Sequence, residues 1–514
     1  MSCSSLTYFA TLEKKLYQII ISRLDGEKIP LSSFQEKIFE LVQKGIGGFI
    51  IFGGEKDEVR NFTGKIQSIS SIPLFIASDI ERGVGQQIQD NTIFPCQMAM
   101  AAAVNRNSDE DICFLRNVIR AMADEAKDVG INMPLIPVLD VNQDPDNPII
   151  CTRAFSDEPE DVAWFGAEYI EILENSGLIS CAKHFPGHGD TSTDSHISLP
   201  VITKSYDDLM HIDLIPFKKA IHAGVSSIMI GHLSIPAIDR KPASLSKEIV
   251  THLLREELGY NGLVITDALN MRALKETKNI YSQCIKAGVD ILLHPHDPDA
   301  AVGELLSAAE SGEISEKSIE TALRRISIAK EKLFRTETRA VDYEKNAILS
   351  SQMSDMSISL FKNTPGILPV SDKDRVQVIL AGDRELFKST LFKDFFTNTV
   401  RINDAIESLP PFKPFSEKGV GSLCTIFVLF TSVAAWKGSS GIEETQKNRI
   451  QDLIKELKST IVVSFGSPYV LRHFRDADIL IAAYDSTKQV QKAVIKCLEG
   501  RMDFKGRLPV QLSV

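Results

Sequence analysis

The chain has 514 residues, 43% apolar and 24% charged, the balance of a soluble globular protein with two or three domains. Its formal net charge of −11 argues against a nucleic-acid partner, which would want a basic stripe. No run approaches the ~18 apolar residues of a membrane span, so no membrane insertion is expected. The eight cysteines (3, 96, 113, 151, 181, 284, 424 and 497) contain no Cys-x-x-Cys and suggest neither a disulfide framework nor a zinc site. A reducing compartment follows. Glu13, Lys14 and Lys15 arrive before any long apolar core, so no signal peptide is expected and the location reads as cytoplasmic.

Over the first ~335 residues, short apolar runs alternate with amphipathic helical stretches. Strands are expected at Gly47–Gly53, Ile72–Ser78, Ile131–Val138, Leu178–Lys183, Val225–Ile230, Leu263–Thr266 and Val289–Leu293. Each is apolar throughout, as a parallel strand covered on both faces should be. Helices are expected over Asp109–Val129, Asp157–Asn175, Ser205–Ala223 and Ser246–Leu258. Seven strands in series fit an open doubly wound sheet or a (β/α)8 TIM-type barrel. The barrel fits better, because polar residues follow several strands and not one: Asp79, His184, His232, Asp267 and His294. No eighth strand stands out, so closure is an inference.

Residues 336–350 are charged and poorly patterned and read as a linker. The domain plan is therefore a catalytic barrel over 1–335 and a smaller α/β domain over 351–514. Strands are expected there at Val376–Ala381, Thr425–Phe430, Ile461–Phe465 and Ile479–Ala483, with a helix at Ile442–Leu457. Few titratable residues follow these strands.

The densest chemistry lies in Cys181-Ala-Lys-His-Phe-Pro-Gly-His-Gly-Asp-Thr-Ser-Thr-Asp-Ser-His196. It packs Lys183, His184, His188, Asp190, Asp194 and His196 into fourteen residues. Asp194 stands two residues before His196, close enough in a turn or extended loop for the side chains to meet. The carboxylate would fix the imidazole tautomer and favour its protonated form. Such a pair is a general acid for a leaving group and then a base for water. An incidental histidine on a solvated loop is the competing reading.

Asp267 ends the strand Leu263–Thr266 and opens a helix from Ala268. It reads as a nucleophile or electrostatic stabiliser at the barrel mouth, or as a helix N-cap. Lys183 and His184 suit hydroxyl or anion recognition; alternatively one faces inward and one faces solvent. Asp79, with Glu81 behind it, would accept two sugar hydroxyls or cap a helix. Arg153, in Cys151-Thr-Arg-Ala-Phe155, would clamp an oxygen-rich ligand or lie on the surface. Placement after successive strands raises these candidates together.

At these residues the chain resembles family 3 glycoside hydrolases, in particular the bacterial β-N-acetylhexosaminidase branch. Residues 183–196 resemble that branch's signature loop, and Val264-Ile-Thr-Asp-Ala-Leu-Asn-Met271 its nucleophile motif. Ala77-Ser-Asp-Ile-Glu81 and Thr152-Arg-Ala-Phe155 are similar to its sugar-binding elements, and Gly288-Val-Asp-Ile-Leu292 is typical of it. Residues 346–363 and Ile461–Tyr469 resemble the α/β sandwich domain that some members carry. The resemblance implies Asp267 as nucleophile and His196 as acid/base, polarised by Asp194. It implies that Asp79, Arg153, Lys183 and His184 hold the terminal sugar. One departure stands out. The family continues after Glu81 with Gly-Gly-Arg-Val-x-Arg, whereas this chain reads Arg82-Gly-Val-Gly-Gln-Gln87, so the second arginine falls on Gln87. A sugar contact is lost, weakened or replaced by Arg82.

The implied activity is exo-acting, retaining removal of terminal GlcNAc from β-linked substrates such as muropeptides, without a cofactor. Within the family the alternatives are a phosphorolytic enzyme, since a neutral imidazole does not repel phosphate, or a β-glucosidase type using Glu443 or Glu444 as acid. Outside it they are a metal-dependent barrel hydrolase, with His184, His188, His232 and Asp267 as ligands, and an inactive sugar-binding paralogue.

Overall fold

The computed structural model describes residues 11–191, 199–274, 277–333, 340–370, 372–396, 398–401, 424–431, 433 and 439–512. The chain divides into two compact units. The first holds Met1–Phe94, Cys113–Gln143 and Glu158–Ala347; the second holds Pro95–Ile112, Asp144–Asp157 and Ile348–Val514.

Eight parallel strands build the first unit: β1 (Ile20–Asp25), β2 (Gly48–Phe52), β3 (Phe75–Ser78), β4 (Met133–Pro134), β5 (Cys181–Phe185), β6 (Ser227–Ile230), β7 (Leu263–Thr266) and β8 (Leu292–Leu293). They pair as β8-β1-β2-β3-β4 and as β5-β6-β7. Parallel bridges from Val138 to Lys183 and from Ile265 to Ile291 join the two runs at both ends. The ring is closed, and the fold is the expected (β/α)8 barrel.

The eighth strand is β1, which the apolar pattern does not reveal. Arg23 interrupts it and points to solvent, while Ile20, Ile21 and Leu24 are fully buried. β4 shrinks to two residues within 131–138, and β5 runs on through His184 and Phe185. The expected helices form at Asp109–Asp128, Pro159–Asn175, Tyr206–His222 (three contiguous helical segments) and Glu248–Glu257. A further helix, Tyr343–Ser357, crosses the end of the stretch read as a linker. It has no apolar stripe to announce it. Polar contacts hold its start instead: Asn346 Nδ2 donates to Glu125 at 2.8 Å and Tyr343 Oη to Asp128 at 2.7 Å.

Among the described residues the second unit holds a six-stranded sheet. Its order is β9 (Ser359–Asn363), β14 (Ile479–Ala482), β13 (Ser459–Gly466), β12 (Cys424–Thr431), β10 (Val376–Gly382), β11 (Asn398–Arg401). Only β9 runs antiparallel to its neighbour. Four of these strands fall on expected runs; β9 and β11, the two edges, do not. Side chains alternate along β12 and β13 into two apolar layers. One layer takes Phe427, Leu429 and Val462, together with Cys96, Met98, Ala99, Ala102 and Cys151. The other takes Ile426, Val428 and Ile461. Among the described residues no helix is long and apolar enough to cross a membrane.

Candidate active site

Parallel strands in a closed barrel end on one rim, and the polar residues collect there. Lys183, in β5, is only 1% exposed. A buried ammonium needs partners, and its Nζ reaches Asp79 Oδ1 at 2.6 Å and Glu81 Oε1 at 2.8 Å. Glu81 is buried. The Asp79 side chain is 31% exposed, so this carboxylate is open to solvent on one side of the pair. No helix starts behind Asp79, where the next helical turn is Val84–Gln86, and the capping role is absent. Lys183 and His184 are both buried, which removes the expectation of one solvent-facing residue.

His184 rests on Asp140, a residue the sequence reading missed although it follows an apolar run just as Asp79 does. Asp140 is fully buried and accepts three hydrogen bonds: from His184 Nδ1 at 2.7 Å, His184 N at 3.2 Å and His188 N at 2.7 Å. Burial alone would push this carboxyl up. The charge and hydrogen bond of His184, with help from His188, hold it below the ordinary carboxylate range. The ionised carboxylate keeps a proton on His184 Nδ1 and fixes the ring. His188 is also buried. The Thr191 hydroxyl donates to the His188 carbonyl at 3.1 Å and accepts from Nδ1 at 2.8 Å. Burial drives the His188 pKa down to about 4, so its ring is neutral at pH 7.

Asp267 directly follows β7 and is half-buried. Its N–H donates to the Ile230 carbonyl at 2.9 Å, and its Oδ1 accepts from Ala268 N at 2.7 Å. The helix expected from Ala268 does not form; the first helical turn is Arg272–Leu274, so Asp267 caps no helix. His232, fully buried, supports the next residue. Its Nε2 donates to the Ala268 carbonyl at 3.2 Å, and its Nδ1 meets Ser244 Oγ at 2.8 Å.

Gln87 donates from Nε2 to the Asp79 carbonyl at 3.2 Å, and the Arg82 backbone N–H donates to Gln86 Oε1 at 2.8 Å. Gln87 thus braces the backbone of Asp79. Arg153 belongs to the second unit, where its Nη1 donates to the Ile149 carbonyl at 3.0 Å and its own carbonyl accepts from Gln97 at 2.9 Å. Glu443 and Glu444 are exposed at the start of the helix Glu444–Glu456 in that unit, and Glu444 pairs with Lys447. Asp194 and His196 lie outside the described residues. The four-ligand metal set does not converge. His184, His188 and His232 each spend a ring nitrogen on a different protein partner, and among the described residues no group of three or more His, Cys, Asp or Glu could hold a metal ion.

The pattern described for the glycosyl hydrolase family 3 N terminal domain matches residues 11–329, more than half of the chain. The chain belongs to glycosyl hydrolase family 3. Within this family it is 30% identical to "Beta-hexosaminidase A" of Pseudoalteromonas piscicida, over 69% of this chain and 66% of that protein, just under two thirds of its length. It is 27% identical to "Beta-N-acetylglucosaminidase/beta-glucosidase" of Cellulomonas fimi, over 87% and 85% of the two chains. Among solved structures, a family 3 β-N-acetylglucosaminidase from Paenibacillus sp. str. FPU-7 superposes with a TM-score of 0.82 at 27% identity, covering 98% of this chain and 100% of the other.

Proposed function

We propose that this family 3 glycoside hydrolase is an exo-acting, retaining β-N-acetylglucosaminidase. The observation that carries the proposal is the pairing, on one barrel rim, of a carboxylate at the end of β7 with a buried Lys183–Asp79–Glu81 set reached from β5 and β3. The relatives' names supply the sugar. Asp79, Lys183 and His184 hold the terminal GlcNAc. Asp267 attacks the anomeric carbon and forms a glycosyl ester as the glycosidic bond breaks. His196, oriented by Asp194, gives its proton to the leaving oxygen. The neutral imidazole then takes a proton from water, which displaces Asp267 and returns the sugar with its original configuration. Gln87 acts through Asp79, by holding that residue's backbone.

The natural substrates in this reading are β-linked muropeptides, and the enzyme works in the cytoplasm on recycled cell wall. The seven described cysteines are all free thiols, in keeping with a reducing compartment. The test is product analysis with GlcNAc–anhydro-MurNAc, with and without inorganic phosphate, beside rates on aryl β-GlcNAc and aryl β-glucoside. Free β-GlcNAc as first product, and a preference for the aryl β-GlcNAc over the aryl β-glucoside, support the proposal. A sugar 1-phosphate assigns phosphorolysis instead. First formation of the α-anomer, or a preference for the glucoside, overturns it.

A further inference from the structure

The turn that carries Asp267 is held from both sides by imidazoles that take no part in proton transfer. Residues 267–271 leave β7, which lies between β6 and β8. Leu269 and Met271 are buried and anchor the turn, while Asp267 and Asn270 are half-buried. On the β6 side, Asp267 N–H donates to the Ile230 carbonyl at 2.9 Å, and His232 Nε2 donates to the Ala268 carbonyl at 3.2 Å. On the β8 side, Leu269 N–H donates to the Leu293 carbonyl at 3.0 Å, and Asn270 Nδ2 donates to His294 Nε2 at 3.4 Å.

His294 directly follows β8. Its N–H donates to the Ile21 carbonyl at 2.7 Å, which ties it to β1, and its φ is +49°. A side chain in this left-handed region is uncommon, and it persists where the surroundings over-determine it. The residue is buried, and its ring packs beside Phe52 of β2, with centroids 5.9 Å apart. Burial pulls the His294 pKa down to about 4, so the ring is neutral at pH 7 and Nε2 can accept. The two imidazoles therefore use opposite tautomers. His232 carries its proton on Nε2, because a carbonyl only accepts; His294 carries its proton on Nδ1.

We propose that His294 and Asn270 are positioning residues for the nucleophile: with His232 opposite, they fix the Asp267–Met271 turn and so the place where the Asp267 carboxylate stands. The proposal rests on Asp267 as nucleophile. A turn with no helix directly behind Asp267 lacks a hydrogen-bond ladder of its own, so side chains from the neighbouring strands supply the constraint. A misplacement of about 1 Å in a reacting group slows a reaction by about 100-fold. The loss should fall on kcat, because Asp79, Lys183 and His184 stand on β3 and β5.

The experiment measures kcat, KM and melting temperature on an aryl β-GlcNAc for His294→Leu, His294→Gln, Asn270→Ala, Asn270→Ala/His294→Leu and Asp267→Ala. Leucine fills the space of the ring without an acceptor; glutamine returns an oxygen near the place of Nε2. His294→Leu should lower kcat by about 10- to 100-fold and leave KM within about 3-fold. His294→Gln should recover most of that loss. Asn270→Ala should match His294→Leu, and the double variant should lose no more than either single change. Asn270→Ala, on a half-buried turn, carries the test if His294→Leu folds poorly. A lower melting temperature with wild-type kcat would mean a role in stability alone and overturns the proposal. Fully additive losses in the double variant, or equal losses in His294→Gln and His294→Leu, overturn it too. These results leave the nucleophile in place so long as Asp267→Ala is inactive. If Asp267→Ala turns over at a near-wild-type rate, the nucleophile assignment fails and takes the positioning role with it.

Discussion

Asp140 is the buried joint between the two histidines of the rim, and its replacement can be followed quantitatively. Asp140→Ala strands three donors that have no access to water: His184 Nδ1, His184 N and His188 N. At roughly 1–3 kcal/mol for each buried donor left unpaired, the loss is about 3–9 kcal/mol, much of the 5–15 kcal/mol typical of a whole domain. Asp140→Asn is the sharper probe. Its oxygen can still accept from both backbone N–H groups, but its amide nitrogen faces His184 Nδ1. The Nδ1 hydrogen bond that fixes the ring is then lost, and the orientation of His184 is no longer set. A loss of about 1–3 kcal/mol and a raised KM follow. The pH dependence has a definite sign. The folded pKa of Asp140 is depressed, so its contribution is fully present above the ordinary carboxyl value of about 4 and is lost as pH falls through the folded value. Urea unfolding, read by Trp164 in a Trp436→Phe background, reports on the first unit. The gap between wild type and Asp140→Asn should be widest near pH 7 and should shrink toward pH 3. A gap below about 0.5 kcal/mol at pH 7, or one that does not change with pH, would refute the account.

Three further changes test other parts of the structure. Asp267→Ala should reduce turnover by at least about 1,000-fold with an unchanged melting temperature; near-wild-type rates would remove it as nucleophile. Lys183→Met leaves Asp79 and Glu81 without their shared cation, so KM should rise and the melting temperature fall, and adding Glu81→Gln should recover stability but not KM; recovery of both would mean that Lys183 does not touch the sugar. Lys330, buried, donates to Gln18 Oε1 and the Gly47 carbonyl, both at 2.9 Å, and burial pulls its pKa down to about 7. The folded state therefore releases a proton that the unfolded chain keeps until about pH 10, and wild-type stability should rise with pH from about 7 upward relative to Lys330→Met. Parallel melting curves from pH 6 to pH 9 would count against this.

Much of the barrel is legible because β2, β3, β6 and β7 are apolar on both faces, and polar residues closely follow β3, β6 and β7. Only β1 escapes, since one outward-pointing arginine breaks its pattern while its other face stays fully buried. The charged candidates are legible as types but not as partnerships. Lys183 finds Asp79 across 104 residues of sequence, and Gln143 finds Lys204 and Asp213 across 61 and 70. No local pattern encodes such pairs; the order of strands around the ring creates them. Asp140 was missed for a related reason: its meaning lies in two histidines that β5 brings to it. The capping readings of Asp79 and Asp267 failed because a turn, and not a helix, follows each.

The interleaving of the two units bears on how this protein can be cut and recombined. Pro95–Ile112 and Asp144–Asp157 precede most of the barrel in sequence yet belong to the second unit. Cys96, Met98, Ala99, Ala102 and Cys151 are buried there among residues that come more than two hundred positions later. A chain stopped after Ala347 would carry these side chains without the surface that covers them. The second unit is thus not a detachable module, and a graft that exchanges it must replace three segments at once.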